Sequence, residues 1–192
     1  MVLVGIGPGN LEYASVRAVE VIKNSKRVFA FKRVAESIGG LNRIVCVQNL
    51  EDLLKIEGDY TLVVSGDPLL YSAADFLKRN NVKIDEIVPS ISCFQYMLSK
   101  IQKNWENASF LSFHGKNADW TKVKNPGITI VFTDSRNTPD KISRTLFQKG
   151  FKGKIYVGFN LSYEDEIILE KIIGDEIENL SDLSLVVVEI CG

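Results

Sequence analysis

A glycine–aspartate–proline turn between an apolar strand and a helix can receive a ligand or simply turn the chain, and this chain carries one at Ser65-Gly66-Asp67-Pro68-Leu69-Leu70-Tyr71-Ser72, in the company of a second glycine turn. The strand-like run before it is Tyr60-Thr61-Leu62-Val63-Val64, and helical spacing resumes at Ala73. Such a junction leaves backbone N–H groups pointing at open space; glycine admits a ligand closely and proline fixes the turn. That second turn, Gly5-Ile6-Gly7-Pro8-Gly9-Asn10, follows Val2-Leu3-Val4 directly. A third, Pro89-Ser90-Ile91-Ser92-Cys93, supplies hydroxyls and runs into another helical stretch. Ligands of open α/β sheets bind at the carboxyl ends of strands, where all three turns fall.

The glycines do not make a dinucleotide site. The fingerprint G-x-G-x-x-G needs glycine where Asn10 sits, and Pro8 stiffens the middle. The next strand-like run, Arg27 to Phe31, ends in Lys32 and Arg33 rather than in the carboxylate that holds an NAD ribose. No G-x-S-x-G elbow is present, and a single histidine, His114, excludes multi-histidine metal sites, so no metal centre is expected.

The elements that must position these turns alternate along the chain. Strands are expected at 2–4, 28–31, 44–47, 60–65, 86–88, 110–113, 129–132, 155–159, 167–172 and 185–191. Helices are expected at 15–24, 50–56, 73–80, 92–100 and 139–149. Ser15 is a natural N-cap for the first helix, and Thr138-Pro139 opens the last, which stops at Gly150. Alternation predicts α/β layers with a mainly parallel sheet, and the helix-poor run of strands from residue 151 predicts a mixed second sheet. The polar stretch 102–107 marks the expected boundary, with an N-terminal α/β domain over 1–104, a C-terminal one over 105–192, and a ligand cleft between them.

The 192 residues suit one large domain or two small ones, and 45% hydrophobic with 24% charged residues is ordinary for a soluble protein. A net charge of −1 advertises neither nucleic-acid nor membrane binding, and no run is long and apolar enough to span a bilayer. With no leader-like segment at the start, the expected location is cytoplasmic. Cys46, Cys93 and Cys191 are widely spaced and form no C-x-x-C pair; Cys46 and Cys191 are expected to pack as small hydrophobes.

Taken together, GIGPG, SGDPLLYS and PSISC resemble the tetrapyrrole (corrin/porphyrin) methyltransferases that use S-adenosyl-L-methionine. The likeness covers essentially the whole chain and narrows at Arg33, Trp105, SFHGK (112–116), FTDSRNTP (132–139) and NLSYEDE (160–166). These resemble the subfamily that methylates carbon 5 of cobalt-precorrin-7 in cobalamin biosynthesis. Two positions depart from it: Ser90 stands where glycine is usual, and Phe159 where an acidic residue is usual.

The resemblance implies that Pro8, Gly66, Asp67, Leu70, Ser92, Cys93 and Thr133 line the methyl-donor pocket. Asp67 also has the ordinary role of capping its own turn. Gly7, Gly9, Arg33, Tyr71, Lys116 and Arg136 would face the tetrapyrrole, the cations gripping its carboxylates, with Arg33 expected at a strand end beside the first glycine loop. His114 is the candidate for bonding a substrate carboxylate or carrying the proton released after methylation, against a role in holding its own loop. The resemblance further implies a homodimer and a separate polypeptide for methylation at carbon 15 with decarboxylation. Competing expectations are another corrin, diphthamide or ribosomal RNA as substrate, or a non-catalytic small-molecule sensor on the same fold.

Overall fold

The computed structural model of the chain describes residues 1–113 and 119–190. His114, Lys116 and Cys191 therefore lie outside the described residues. Contacts divide the chain into a unit over Met1–Cys93 and a second from Phe94 onward, each built on a five-stranded sheet.

The first unit runs β1 (Val2–Gly5), α1 (Val16–Asn24), β2 (Val28–Phe31), α2 (Lys32–Ile38), β3 (Ile44–Val47), β4 (Thr61–Val64), α3 (Ala73–Arg79) and β5 (Glu86–Val88). All its pairings are parallel, in the order β3-β2-β4-β1-β5. Strand side chains alternate between two apolar layers. Val4, Val28, Ala30 and Val63 pack with α1 and α2; Leu3, Phe29, Leu62 and Val64 pack with α3 and Leu53.

Ser15 caps α1, its Oγ accepting from the Ala18 N–H at 3.1 Å. Lys32–Ile38, left out of the helices expected from sequence, is helical because Val34, Ala35 and Ile38 bury one face, though its N-cap Phe31 offers no side-chain bond. The helix expected at 50–56 is instead a 3-10 helix, Leu50–Lys55, opened by a reciprocal capping box between Asn49 and Asp52. Cys46 is exposed rather than packed, because β3 is an edge strand.

The second unit continues with α4 (Cys93–Lys100), β6 (Ser109–Ser112), β7 (Gly127–Phe132), α5 (Pro139–Gln148), β8 (Lys154–Phe159), β9 (Ile167–Ile172) and β10 (Ser184–Ile190). Its sheet is mixed, in the order β6-β7-β10-β8-β9, with only the β6–β7 pairing parallel. The polar stretch 102–107 is tied into this unit, since Trp105 meets the Phe94 ring of α4 edge-on at 5.2 Å. Thr138 caps α5, with Pro139 in its first turn. The helix unwinds at Gly150 (φ 84°), whose N–H donates to the Phe147 carbonyl at 2.9 Å.

One half-buried polar cluster clasps this sheet. Glu189 accepts from Lys103 Nζ at 2.7 Å and from Tyr156 Oη at 3.0 Å, and the lysine bond holds its carboxyl below the ordinary value. Among the described residues no helix is long and apolar enough to cross a membrane.

Candidate functional site

The sheet order of the first unit turns three separate sequence signals into one place. β4, β1 and β5 are neighbours and run parallel, so the loops 65–72, 5–10 and 89–92 emerge side by side at one end. The chain leaving β1 enters α1 on one face, and the chain leaving β4 enters α3 on the other. That divergence is a topological switch point, where open α/β sheets bind ligands.

The first two loops are locked together. Gly66 N–H donates to the Gly7 carbonyl at 2.6 Å, and Ile6 N–H to the Val64 carbonyl at 3.1 Å. Gly5 makes the close approach possible: a Cβ there would come within 2.5 Å of the Gly66 carbonyl and 2.7 Å of Pro68 Cδ. Gly7 adopts φ +81°, and a Cβ on it would lie 3.0 Å from the Tyr13 carbonyl and 3.4 Å from Ser90 Oγ. The third loop thus abuts the first through Ser90. Ser90 itself is not among the residues with positive φ, so a serine fits the backbone where glycine is usual.

Gly7, Pro8 and Gly9 are buried, and Gly66, Asp67 and Leu70 are half-buried beside them. Asp67 does cap its turn, Oδ1 accepting from the Leu69 N–H at 2.8 Å. Ser92 is buried and Cys93 half-buried at the head of α4, with Ser92 Oγ 4.0 Å from Cys93 Sγ. Tyr71 is 47% exposed, so it does not fill the helix–sheet core, and it holds a left-handed φ of 49°. Backbone strain of that kind concentrates at ligand loops and switch regions. Asp67→Ala is expected to weaken binding of the ligand while costing about 1 kcal/mol of stability from the lost cap. Calorimetry and thermal unfolding on one preparation would separate the two effects.

Arg33 is exposed in the first turn of α2. It is not beside the first glycine loop, because β4 lies between β2 and β1. Sequence reasoning missed this since strand order depends on which crossovers form, not on chain order.

In the second unit the later motifs also share one end of a sheet. β6, β7 and β8 point the same way, so the segments 133–138 and 160–166 both follow carboxyl ends on one side of the sheet. Thr133 is buried and donates to the Ser184 carbonyl at 2.6 Å. Asp134 Oδ1 collects the N–H groups of Arg136 and Asn137 at 3.0 and 2.7 Å, which presents the exposed Arg136 at the loop tip. In the second of these segments Asn160 and Ser162 both have positive φ, and the carboxylates of Asp165 and Glu166 bond Asn160 Nδ2 and Ser162 N–H at 2.6 Å each. Phe159, the other departure, is fully buried in the core with Leu146, Val157 and Val186.

The arrangement in the first unit is rich in backbone groups and poor in acid–base side chains. No group of three or more metal-binding side chains occurs among the described residues. Such a site is suited to holding and orienting a small molecule.

Residues 1–175 match the family described as Tetrapyrrole (Corrin/Porphyrin) Methylases. The chain is 29% identical over 183 residues to the probable cobalt-precorrin-7 C(5)-methyltransferase of Methanocaldococcus jannaschii, covering 86% of each chain. Among solved structures it resembles the cobalamin-biosynthesis precorrin-6Y methylase of Archaeoglobus fulgidus, with a TM-score of 0.78 at 20% identity over 100% of this chain and 98% of that one. It also resembles the uroporphyrin-III C-methyl transferase of Thermus thermophilus complexed with S-adenyl homocysteine, with a TM-score of 0.74 at 18% identity over 98% and 91% of the two chains.

Proposed function

Because this chain belongs to the tetrapyrrole (corrin/porphyrin) methylases and is a methyltransferase, we propose that it moves the methyl group of S-adenosyl-L-methionine to carbon 5 of cobalt-precorrin-7, in cobalamin biosynthesis. What supports the substrate is the name of the Methanocaldococcus jannaschii relative, whose likeness spans 86% of both chains.

The residues present fit the methyl donor. Glycine at 5 and 7 is what lets the loops pack so closely, since a Cβ at Gly5 would strike the Gly66 carbonyl and Pro68 and one at Gly7 would crowd the Tyr13 carbonyl, and Ser90 Oγ stands beside them buried without a partner among the described residues. When bound, S-adenosyl-L-methionine supplies a methyl on a sulfonium, which leaves as a neutral thioether and asks for no acid. The protein's share is therefore position: hold the donor, keep water out, and fix the nucleophilic carbon in line with the S–CH3 bond. Pro8, Gly66, Asp67, Leu70, Ser92 and Cys93 are proposed to hold the donor, and Tyr71 to pack against a flat ring.

The substrate carboxylates call for cations, and Arg33 and Arg136 are both exposed and proposed for that task. Arg33→Ala is expected to raise the substrate KM about ten-fold while donor affinity stays constant, the worth of one charged hydrogen-bonded contact. Arg33→Lys should recover only part of it, since an ammonium does not reproduce a two-pronged contact. An unchanged KM would leave Arg33 an ordinary surface charge. We further propose a cytoplasmic homodimer; sedimentation at micromolar concentration should give the dimer mass, and a stable monomer would refute it.

Incubating the purified chain with labelled S-adenosyl-L-methionine and a panel of corrin intermediates tests the function as a whole. Label should pass to cobalt-precorrin-7 in preference to the others. Preferential transfer to another intermediate would move the substrate, and transfer to none would refute the proposal.

A further inference from the structure

Ser90 lies in the loop after β5, and its Oγ is buried with no hydrogen-bond partner among the described residues. The residue as a whole is only half-buried, so the oxygen is turned inward while the rest of it reaches the surface. It faces the bare Cα of Gly7, where a Cβ would sit 3.4 Å away. The Gly7 carbonyl is already taken by Gly66 N–H at 2.6 Å. A hydroxyl that is neither wet nor paired weighs against the free protein, and folded proteins rarely keep one without a use for it. Serine can redirect its hydroxyl by a single χ1 rotation between staggered wells.

We propose that Ser90 is a donor-binding residue whose hydroxyl turns from Gly7 to a polar group of the bound methyl donor, a carboxylate or a hydroxyl. Binding then removes an unpaired buried group as well as making a bond. The inference rests on the methyl-donor reading above and assigns to a side chain what the loops otherwise do with backbone.

Ser90→Ala gives two readouts of opposite sign. Without ligand its melting temperature should equal or exceed that of the wild type, because the variant has no hydroxyl to leave unpaired. Its Kd for S-adenosylhomocysteine, read by calorimetry, should rise about ten-fold. An unchanged Kd would overturn the proposal. So would a lowered melting temperature in the free variant, which would make the hydroxyl a strut of the loop. Failure of the wild type to bind S-adenosylhomocysteine would bring down the methyl-donor reading itself, before any variant is compared.

Discussion

Gly5→Ala is expected to cripple ligand binding and lower stability together. Its Cβ would come within 2.5 Å of the Gly66 carbonyl and 2.7 Å of Pro68 Cδ, and neither a backbone carbonyl nor a proline ring can swing aside. The first two loops would have to part, and with them the Gly66–Gly7 bond. Overpacking of this kind costs about 1–3 kcal/mol, which lowers the melting temperature by several degrees. Affinity for S-adenosylhomocysteine should fall more than about ten-fold, since the loops proposed to hold it are displaced. Gly40→Ala is the control: a Cβ there meets nothing within 4 Å, so neither quantity should move. Unchanged binding in the Gly5 variant would mean that the two loops do not have to meet.

Phe159→Asp, which restores the residue type usual in the cobalt-precorrin-7 subfamily, is expected to unfold the second unit rather than improve catalysis. Phe159 is 0% exposed and packs with Leu146, Val157 and Val186. Emptying such a site costs about 3–5 kcal/mol, and a buried carboxylate without a partner adds to that. Phe159→Leu should cost far less, under about 2 kcal/mol, because it keeps an apolar side chain in place. Chemical denaturation of both variants checks the contrast, and a stable, active Phe159→Asp protein would place this position at the site instead of in the core. The loop's own carboxylates, Asp165 and Glu166, are engaged in holding its backbone and Asn160.

How far the molecule was legible from sequence depends on the kind of signal each part carries. Apolar strand-like runs and turn residues marked every strand that the structure contains among the described residues. Ser15 and Thr138 marked their helices because capping is a local bond between near neighbours. Lys32–Ile38 has no side-chain cap and few residues, so its helicity comes from packing that a short window does not display. Leu50–Lys55 has a strong start signal but winds as a 3-10 helix, a choice made by where the chain must go next.

The site was legible in its parts and not in its assembly. Glycine, aspartate and proline announced three loops, but their adjacency follows from the order β4-β1-β5, which long crossovers decide. The same order moves Arg33 away from the glycine loop. The Tyr13 carbonyl beneath Gly7 is backbone, which no residue type could announce. The hydroxyl of Ser90 was visible as a residue, while its lack of a partner is a property of the fold alone.

The central claim is methyl transfer to one carbon of one corrin, and the most direct test reads that carbon. The chain should be incubated with cobalt-precorrin-7 and S-adenosyl-L-methionine carrying carbon-13 in its methyl group, and the product examined by mass spectrometry and carbon-13 NMR. One added methyl, with its label attached at carbon 5, is the result expected. Label at any other carbon, or none transferred by a chain that binds the donor, would contradict the account.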